Sequence, residues 1–123
     1  MSPISSVKQQ PEAVEMRKSE PPATNQDLEQ LAALFRLLSD KTRLNILTAL
    51  GDGERNVGEL CRLLHLPQPT MSHHLGLLRM SNVIANRRVG KQVFYSLMHR
   101  ENDVADLLTV ECHKFAIRVI AKN

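Results

Sequence analysis

Aromatic residues are scarce in this chain, which has no Trp, one Tyr and three Phe among its 123 residues. An all-β sandwich normally fills its core with aromatic and β-branched side chains, so this composition disfavours that class. Hydrophobic residues make up 42% of the chain and charged residues 24%, as in ordinary globular domains. The length suffices for one domain. We therefore expect a mainly helical domain with an aliphatic core.

Cysteines and long apolar segments are equally few. The two cysteines, Cys61 and Cys112, are too few for a disulfide scaffold. No apolar run approaches the ~20 residues that a membrane-spanning helix needs, and the N-terminus lacks the apolar core of a signal peptide. The sequence therefore predicts a cytoplasmic protein that has no membrane contact.

Acidic residues are absent from residues 60–100, the segment between Glu59 and Glu101. The fixed positive charges of that segment are at Arg62, Arg79, Arg87, Arg88, Lys91 and Arg100. A field of one sign attracts a polyanion such as a nucleic acid. The alternative at this point is a solvated basic face that has no partner.

The N-terminal segment differs in composition from the rest of the chain. Four of the six prolines lie within residues 1–23, and apolar residues show no period there. This pattern predicts a disordered tail over 1–23. Residues 24–123 are predicted to form the DNA-binding and dimerisation domain.

Apolar residues recur at helical spacing in five segments and alternate in two others. The predicted helices open at Thr24, cover 41–50, follow a cap at Asn56, cover 69–80, and run from Asn102 or Asp103 toward Ala121. The predicted strands, 83–88 and 92–97, are joined by a turn at Gly90. A short helix, a tight turn and a second helix form a helix-turn-helix, and a hairpin directly behind it is a wing. The predicted fold is mainly α with a two-stranded β-hairpin wing, a winged helix-turn-helix.

The helix over 69–80 is the predicted DNA-reading element. Met71, His74 and Leu75 lie on its apolar face, whereas the opposite face has no acid and no bulky apolar side chain. Small polar groups on such a face suit entry into a major groove, and cations on a wing suit phosphates or a minor groove. The predicted DNA-binding residues are Gln68, Pro69, Thr70, Ser72, His73 and Arg79 on the helix, and Arg87, Arg88 and Lys91 on the wing.

The first and last predicted helices carry wide apolar stripes, which a core of this size cannot fully use. The surplus predicts a homodimer formed through the N- and C-terminal helices, an arrangement that suits a palindromic operator. The alternative is that both helices cover the core of one monomer.

Several separate motifs appear in a familiar order. They are LLSDKTRLNIL over 37–47, VGELC over 57–61, QPTMSHHL over 68–75 and GKQVFYSL over 90–97. With these motifs, residues 28–108 resemble the ArsR/SmtB family of arsenic- and zinc-responsive repressors. The resemblance implies a homodimeric winged helix-turn-helix that binds operator DNA, usually represses, and is released by a chemical signal.

The resemblance also implies where a metal would bind. One family site reads Glu-Leu-Cys-x-Cys, and here Cys61 keeps the first cysteine while Leu63 replaces the second. The other site lies on the last helix, where Lys114 and Ile117 stand near two ligand positions and supply no suitable donor. The ligand set for zinc or another thiophilic metal is incomplete, so we predict no metal site and no definite cofactor. Cys61, Cys112 and His113 remain the candidates for a thiol-based sensor.

The predicted function is a sequence-specific DNA-binding transcriptional regulator, a repressor that a metal, a metalloid or a thiol-reactive signal releases. The alternative is a winged-helix dimerisation module that has no inducer site. The chain has no Gly-rich phosphate loop and no nucleophile elbow, so we predict no enzyme activity. Asp52 and Glu54 are interpreted as solvated charges on a turn.

Overall fold

A computed structural model describes residues 23–98, 106–112 and 115–122. Of the predicted tail, only Ala23 lies within the described residues. The chain divides into two compact units within its first helix, between Gln30 and Leu31. The elements in chain order are α1 (Asn25–Leu38), α2 (Lys41–Gly51), β1 (Arg55–Asn56), α3 (Val57–Leu64), α4 (Gln68–Met80), β2 (Ile84–Val89), β3 (Gln92–Leu97), β4 (Asp106–Glu111) and β5 (Ala116–Ile120).

The helix starts are formed by side-chain caps. The Thr24 hydroxyl accepts a hydrogen bond from the Asp27 backbone N–H at 3.0 Å, and the Asp27 carboxylate accepts one from the Thr24 N–H at 3.0 Å. This reciprocal capping box begins α1 where the sequence predicts it. Asp40 caps α2 by accepting from the Arg43 N–H at 3.0 Å, and this hydrogen bond lowers the pKa of Asp40.

A second capping box begins α3. The Asn56 side chain accepts from the Glu59 N–H at 2.8 Å, and the Glu59 carboxylate accepts from the Asn56 N–H at 2.9 Å. At the other end, His65 adopts the left-handed conformation with φ 55° and closes the helix. His is one of the non-glycine residues that enter this region, so the turn between α3 and α4 needs no glycine.

The wing is an antiparallel hairpin of β2 and β3, in which Val89 pairs with Gln92. Gly90 opens the two-residue turn with φ +62°. Two-residue hairpin turns require a positive φ at this place, which glycine adopts without steric cost. The hairpin and its turn are confirmed, and β2 begins at Ile84, one residue later than predicted.

The sheet has a third strand that the sequence pattern did not indicate. β1 pairs antiparallel with β3, which gives the strand order β1-β3-β2. Because β1 spans only Arg55–Asn56, it is too short to show alternation.

The core is aliphatic, as the scarcity of aromatics predicts. It lies between the helices and the sheet and includes fully buried side chains from α2, α3, α4 and β2. The largest of these are Ile46, Leu47, Leu50, Leu60, Met71, Leu75, Leu78 and Ile84.

The predicted C-terminal helix is wrong. Where it should run, β4 and β5 form an antiparallel hairpin in which Val110 faces Ile117. β-branched residues are dense here, and they pack better on a pleated strand than on a helix. Val110 of β4 is buried, and Leu108 and Cys112, two residues away on either side, are half-buried and pack against the same core.

Candidate nucleic-acid interface

Helix α4 has one buried face and one open face. Met71, Leu75 and Leu78 are 0% exposed and pack into the core. All six predicted DNA-binding residues of this helix are exposed, namely Gln68, Pro69, Thr70, Ser72, His73 and Arg79. The helix therefore presents an acid-free and mostly polar surface to solvent, with Met80 at its end as an apolar exception that is 78% exposed.

The N-terminus of α4 is free of side-chain caps. Pro67 is the N-cap residue and makes no side-chain hydrogen bond to the helix, and Pro69 at the second helical position has no N–H. The first-turn N–H groups of a helix lack intrahelical partners, and the helix dipole favours an anion beside them. This end of α4 thus has the chemistry of a phosphate contact.

His74 makes a polar contact between α4 and α2, in addition to the apolar packing of the helix. The Arg43 guanidinium donates from Nη1 to His74 Nδ1 at 3.3 Å and from Nε to the Leu37 carbonyl oxygen at 2.6 Å. Arginine has no acceptor, so Nδ1 of His74 must be the unprotonated nitrogen in this contact. Arg43 is 16% exposed and links the end of α1, the start of α2 and the middle of α4. His74 is half-buried, as its place on the apolar face predicts.

The wing cations do not share one face of the hairpin. Side chains alternate along a strand, so Arg87 and Arg88 point to opposite sides of β2. Arg87 pairs with Phe94 across the ladder, and its guanidinium carbon lies 5.5 Å from the centre of the Phe94 ring. Arg87, Arg88 and Lys91 are all exposed. The predicted cluster is therefore divided, with Arg87 apart from Arg88.

Glu54 is the acidic partner of Arg87. Arg87 Nε lies 2.6 Å from one carboxylate oxygen of Glu54, and Nη2 lies 2.7 Å from the other. These hydrogen bonds hold the pKa of Glu54 below its usual 4.5 and raise the pKa of Arg87. Glu54 is exposed, as the interpretation of a solvated charge on a turn predicts, but its carboxylate also forms a bidentate contact with a guanidinium that the sequence did not indicate.

The two cysteines occupy separate elements. Cys61 on α3 and Cys112 at the end of β4 are unbridged, half-buried and packed against the core. Leu63, which replaces the second cysteine of the family motif, is 49% exposed. The third candidate sensor residue, His113, lies outside the described residues.

A metal centre does not fit the residues described by the structure. Among them, no group of three or more His, Cys, Asp or Glu side chains is arranged to hold an ion. The thiol of Cys61 alone supplies one soft ligand, whereas tetrahedral sites need four. No membrane-spanning length of apolar helix occurs in the described ranges either.

Two features of the surface were not predicted, the Arg43–His74 contact and the Glu54–Arg87 pair. Their partners are 31 and 33 residues apart in the chain. Local patterns carry no signal for such contacts.

Comparison with known proteins identifies the family of this fold. The sequence profile of the bacterial regulatory protein arsR family matches residues 40–85. A biofilm growth-associated repressor from Xylella fastidiosa is 41% identical over 88 residues, which cover 68% of this chain and 77% of the relative. The HTH-type transcriptional regulator KmtR of Mycobacterium tuberculosis is 38% identical over 78 residues, which cover 63% of this chain and 58% of that relative.

A solved structure agrees with these sequence matches. The homodimeric winged helix-turn-helix DNA-binding domain of Mb0332 from Mycobacterium bovis, titled a possible ArsR-family regulator, superposes with a TM-score of 0.59 at 26% identity. The match covers 65% of this chain and 74% of that one. The chain, with its winged helix-turn-helix and a repressor relative matched over most of its length, belongs to the ArsR family of bacterial regulatory proteins.

Proposed function

We propose that this protein is a cytoplasmic, homodimeric transcriptional repressor that binds operator DNA with α4 and the wing of each subunit. The observation that carries the proposal is the exposed polar face of α4, which holds no acid. The helix also begins at an N-terminus without a side-chain cap. We assign no catalytic step to the protein.

The residues of α4 divide into two roles. Gln68 and Ser72 present amide and hydroxyl groups that suit base edges in a major groove, and glutamine pairs well with adenine. Thr70 lies at the uncapped first turn, where its backbone N–H suits a phosphate. Gly76 has no side chain, and outside the neighbouring helix backbone no atom lies within 4 Å of the place that a Cβ would take, which leaves room for close approach of DNA along this helix.

The wing supplies contacts to the backbone. Arg88 and Lys91 are exposed near its tip, and within the described residues neither takes part in an ion pair. Cations of this kind position a protein on the duplex without specifying its sequence. Arg87, the third predicted contact, is engaged by Glu54 instead.

Dimerisation would place two such surfaces on one duplex. The Mycobacterium bovis domain is homodimeric, and Phe35 of α1 is 52% exposed in this single chain. Dimerisation through α1 would cover this apolar side chain, whose single exposure alone does not require a partner. The proposed dimer uses α1, and two half-sites about one helical turn apart fit a palindromic operator.

The test of this function is direct binding. Duplexes of about 30 bp, long enough for two half-sites, are selected from a random pool with the purified protein, and affinity is followed by fluorescence anisotropy. Gln68→Ala and Ser72→Ala should weaken binding to the selected duplex more than binding to random duplex. Wild-type protein that bound no duplex in low salt would overturn the function and favour a winged dimerisation module.

We propose further that the releasing signal acts on the thiols of Cys61 and Cys112. Both are half-buried and unbridged, and no described cluster offers a metal a full ligand set. Operator release by Zn(II), As(III), Cu(I) and a peroxide is measured for the wild type beside Cys61→Ser and Cys112→Ser. The peroxide should release only a protein that keeps its thiols. Release of both serine variants by a metal would contradict this.

A further inference from the structure

The Glu54–Arg87 pair spans the outer face of the three-stranded sheet. Arg87 belongs to β2 and Glu54 directly precedes β1, so β3 lies between them. Neighbouring strands are about 4.8 Å apart, and the guanidinium must therefore cross roughly 10 Å of sheet to reach the carboxylate. Phe94 of β3 lies beneath that crossing.

The position of Glu54 in the chain determines which parts of the domain the ion pair connects. Two residues after Glu54, Asn56 caps α3, the first helix of the helix-turn-helix. Asn56 is also the residue that pairs with Phe94 in the sheet. The ion pair thus joins the middle of the wing to the segment that leads into the helix-turn-helix, beside a strand contact only two residues long.

The local charge argues against a phosphate at Arg87. A phosphate that contacted this guanidinium would lie close to the Glu54 carboxylate, and two anions at such a distance repel each other. Arg88 projects from the other side of β2, and Lys91 lies in the turn. Neither has Glu54 as a partner.

We propose that Glu54 and Arg87 form a positioning pair that sets the wing against the helix-turn-helix, so that Arg88 and Lys91 reach DNA while α4 is in its groove. Arg87 is then a positioning residue rather than a phosphate contact. The inference rests on the proposed function, because the pair fixes the position of the wing relative to α4 within the proposed DNA-binding surface.

Glu54→Gln tests the inference by its direction. The change removes one negative charge and so raises the net charge by one, and electrostatics alone would therefore tighten binding to the selected duplex. Loss of the positioning pair should instead weaken it about 2- to 5-fold, the range that corresponds to the free energy of an exposed ion pair. Asp52→Asn, at an exposed residue of the same turn, changes the net charge equally and should not weaken binding. Binding by Glu54→Gln that is unchanged or tighter would overturn the proposal.

A charge exchange separates positioning from direct contact. Arg87→Glu alone places two carboxylates together and should weaken binding. Adding Glu54→Arg restores an ion pair across the sheet with the wild-type net charge, and it should restore both the affinity and its dependence on salt. If Arg87 contacts a phosphate itself, the double variant stays as weak as Arg87→Glu, which would contradict the proposal.

Hydrogen exchange of the DNA-free protein tests the positioning role of the pair independently of the proposed DNA-binding function. Glu54→Gln should speed exchange of amides in β2 and β3, and the charge exchange should return it to the wild-type rate, with the far-UV spectrum unchanged in all variants. Unchanged wing exchange in Glu54→Gln would overturn the positioning role. A wild-type protein that bound no duplex would overturn the proposed function, whereas the exchange result would still test the pair.

Discussion

At the scale of single residues, Arg43 connects more of the fold than any local pattern indicates. Its side chain reaches a carbonyl of α1 and a ring nitrogen of α4, and its backbone N–H binds the cap of its own helix. Both of these side-chain acceptors are neutral, and the guanidinium also lies 4.0 Å from the carboxylate of Asp40, with which it forms an ion pair. Beside its apolar packing, α4 is therefore also held by a polar contact from a residue outside it.

Arg43→Met should destabilise the domain by about 2 kcal/mol, because it leaves two partly buried acceptors without a charged donor. Lys41→Met, at an exposed residue of the same helix, is the control and should change the free energy of unfolding by less than about 0.5 kcal/mol. Urea denaturation measures both. Equal effects of the two substitutions would contradict the anchoring role.

Asn56→Ala should cost about 1 kcal/mol of unfolding free energy, because the Glu59 N–H loses the side chain that caps it. Asn56→Asp retains a suitable acceptor and should stay within a few tenths of a kcal/mol of the wild type. Thermal unfolding monitored by circular dichroism compares them. An aspartate variant as unstable as the alanine variant would show that the cap is not the cause.

Low pH should break the Glu54–Arg87 ion pair, because protonation removes the negative charge of Glu54. Because Arg87 lowers the pKa of Glu54, the pair adds stability that is complete above the usual 4.5 and is lost as the pH falls through the lower folded value. The carboxyl carbon shift of Glu54, followed by NMR, should titrate below 4.5 in the wild type and near it in Arg87→Met. Equal midpoints in the two proteins would contradict the pairing in solution.

At the scale of elements, the proposed function assigns different roles to the wing and to α4. Arg88→Ala and Lys91→Ala should each weaken binding to selected and random duplexes alike, and each should reduce the slope of affinity against salt by about one. Anisotropy over a salt series measures the slope. A slope that did not change in either variant would remove the wing from the phosphate backbone.

The C-terminal hairpin shows how a helical stripe misleads. Apolar residues between 104 and 120 fall near helical spacing, which favoured one long helix. The helical stripe omits Val110 and Ile117, which face each other across the hairpin, and the branched side chains of both pack readily on strands. The burial of Val110 at 2% exposure against the core shows which period the packing follows. Two periods coexist in this segment, and tertiary contact selects one.

At the scale of the whole molecule, dimerisation should depend on the face that carries Phe35. This side chain is 52% exposed, so Phe35→Glu should leave the monomer core intact while it places a charge in the proposed contact. Sedimentation should then show monomers with a wild-type helical spectrum. Leu63→Glu, at a similarly exposed leucine of α3, is the control and should leave the dimer unchanged. A dimer that survived Phe35→Glu would move the contact elsewhere.

Much of this protein follows from neighbours along the chain. Caps such as Thr24, Asp40 and Asn56 bond to residues three positions away, and the alternation in the wing is a property of adjacent residues. Helix starts, the helix-turn-helix, the wing and the exposed face of α4 were therefore predictable, because the interactions that form them are local.

Other features required the folded chain. The strand Arg55–Asn56 exists only because β3 lies beside it, and Glu54 meets Arg87 only once the sheet has formed. Arg87, in the segment free of acids, thus pairs with a carboxylate 33 residues away in the chain, which local patterns do not reveal. Such contacts join residues that are far apart in the chain, and the choice between a helix and a hairpin at the C-terminus was likewise made by packing against the core. Local propensity is a weak term that burial overrides.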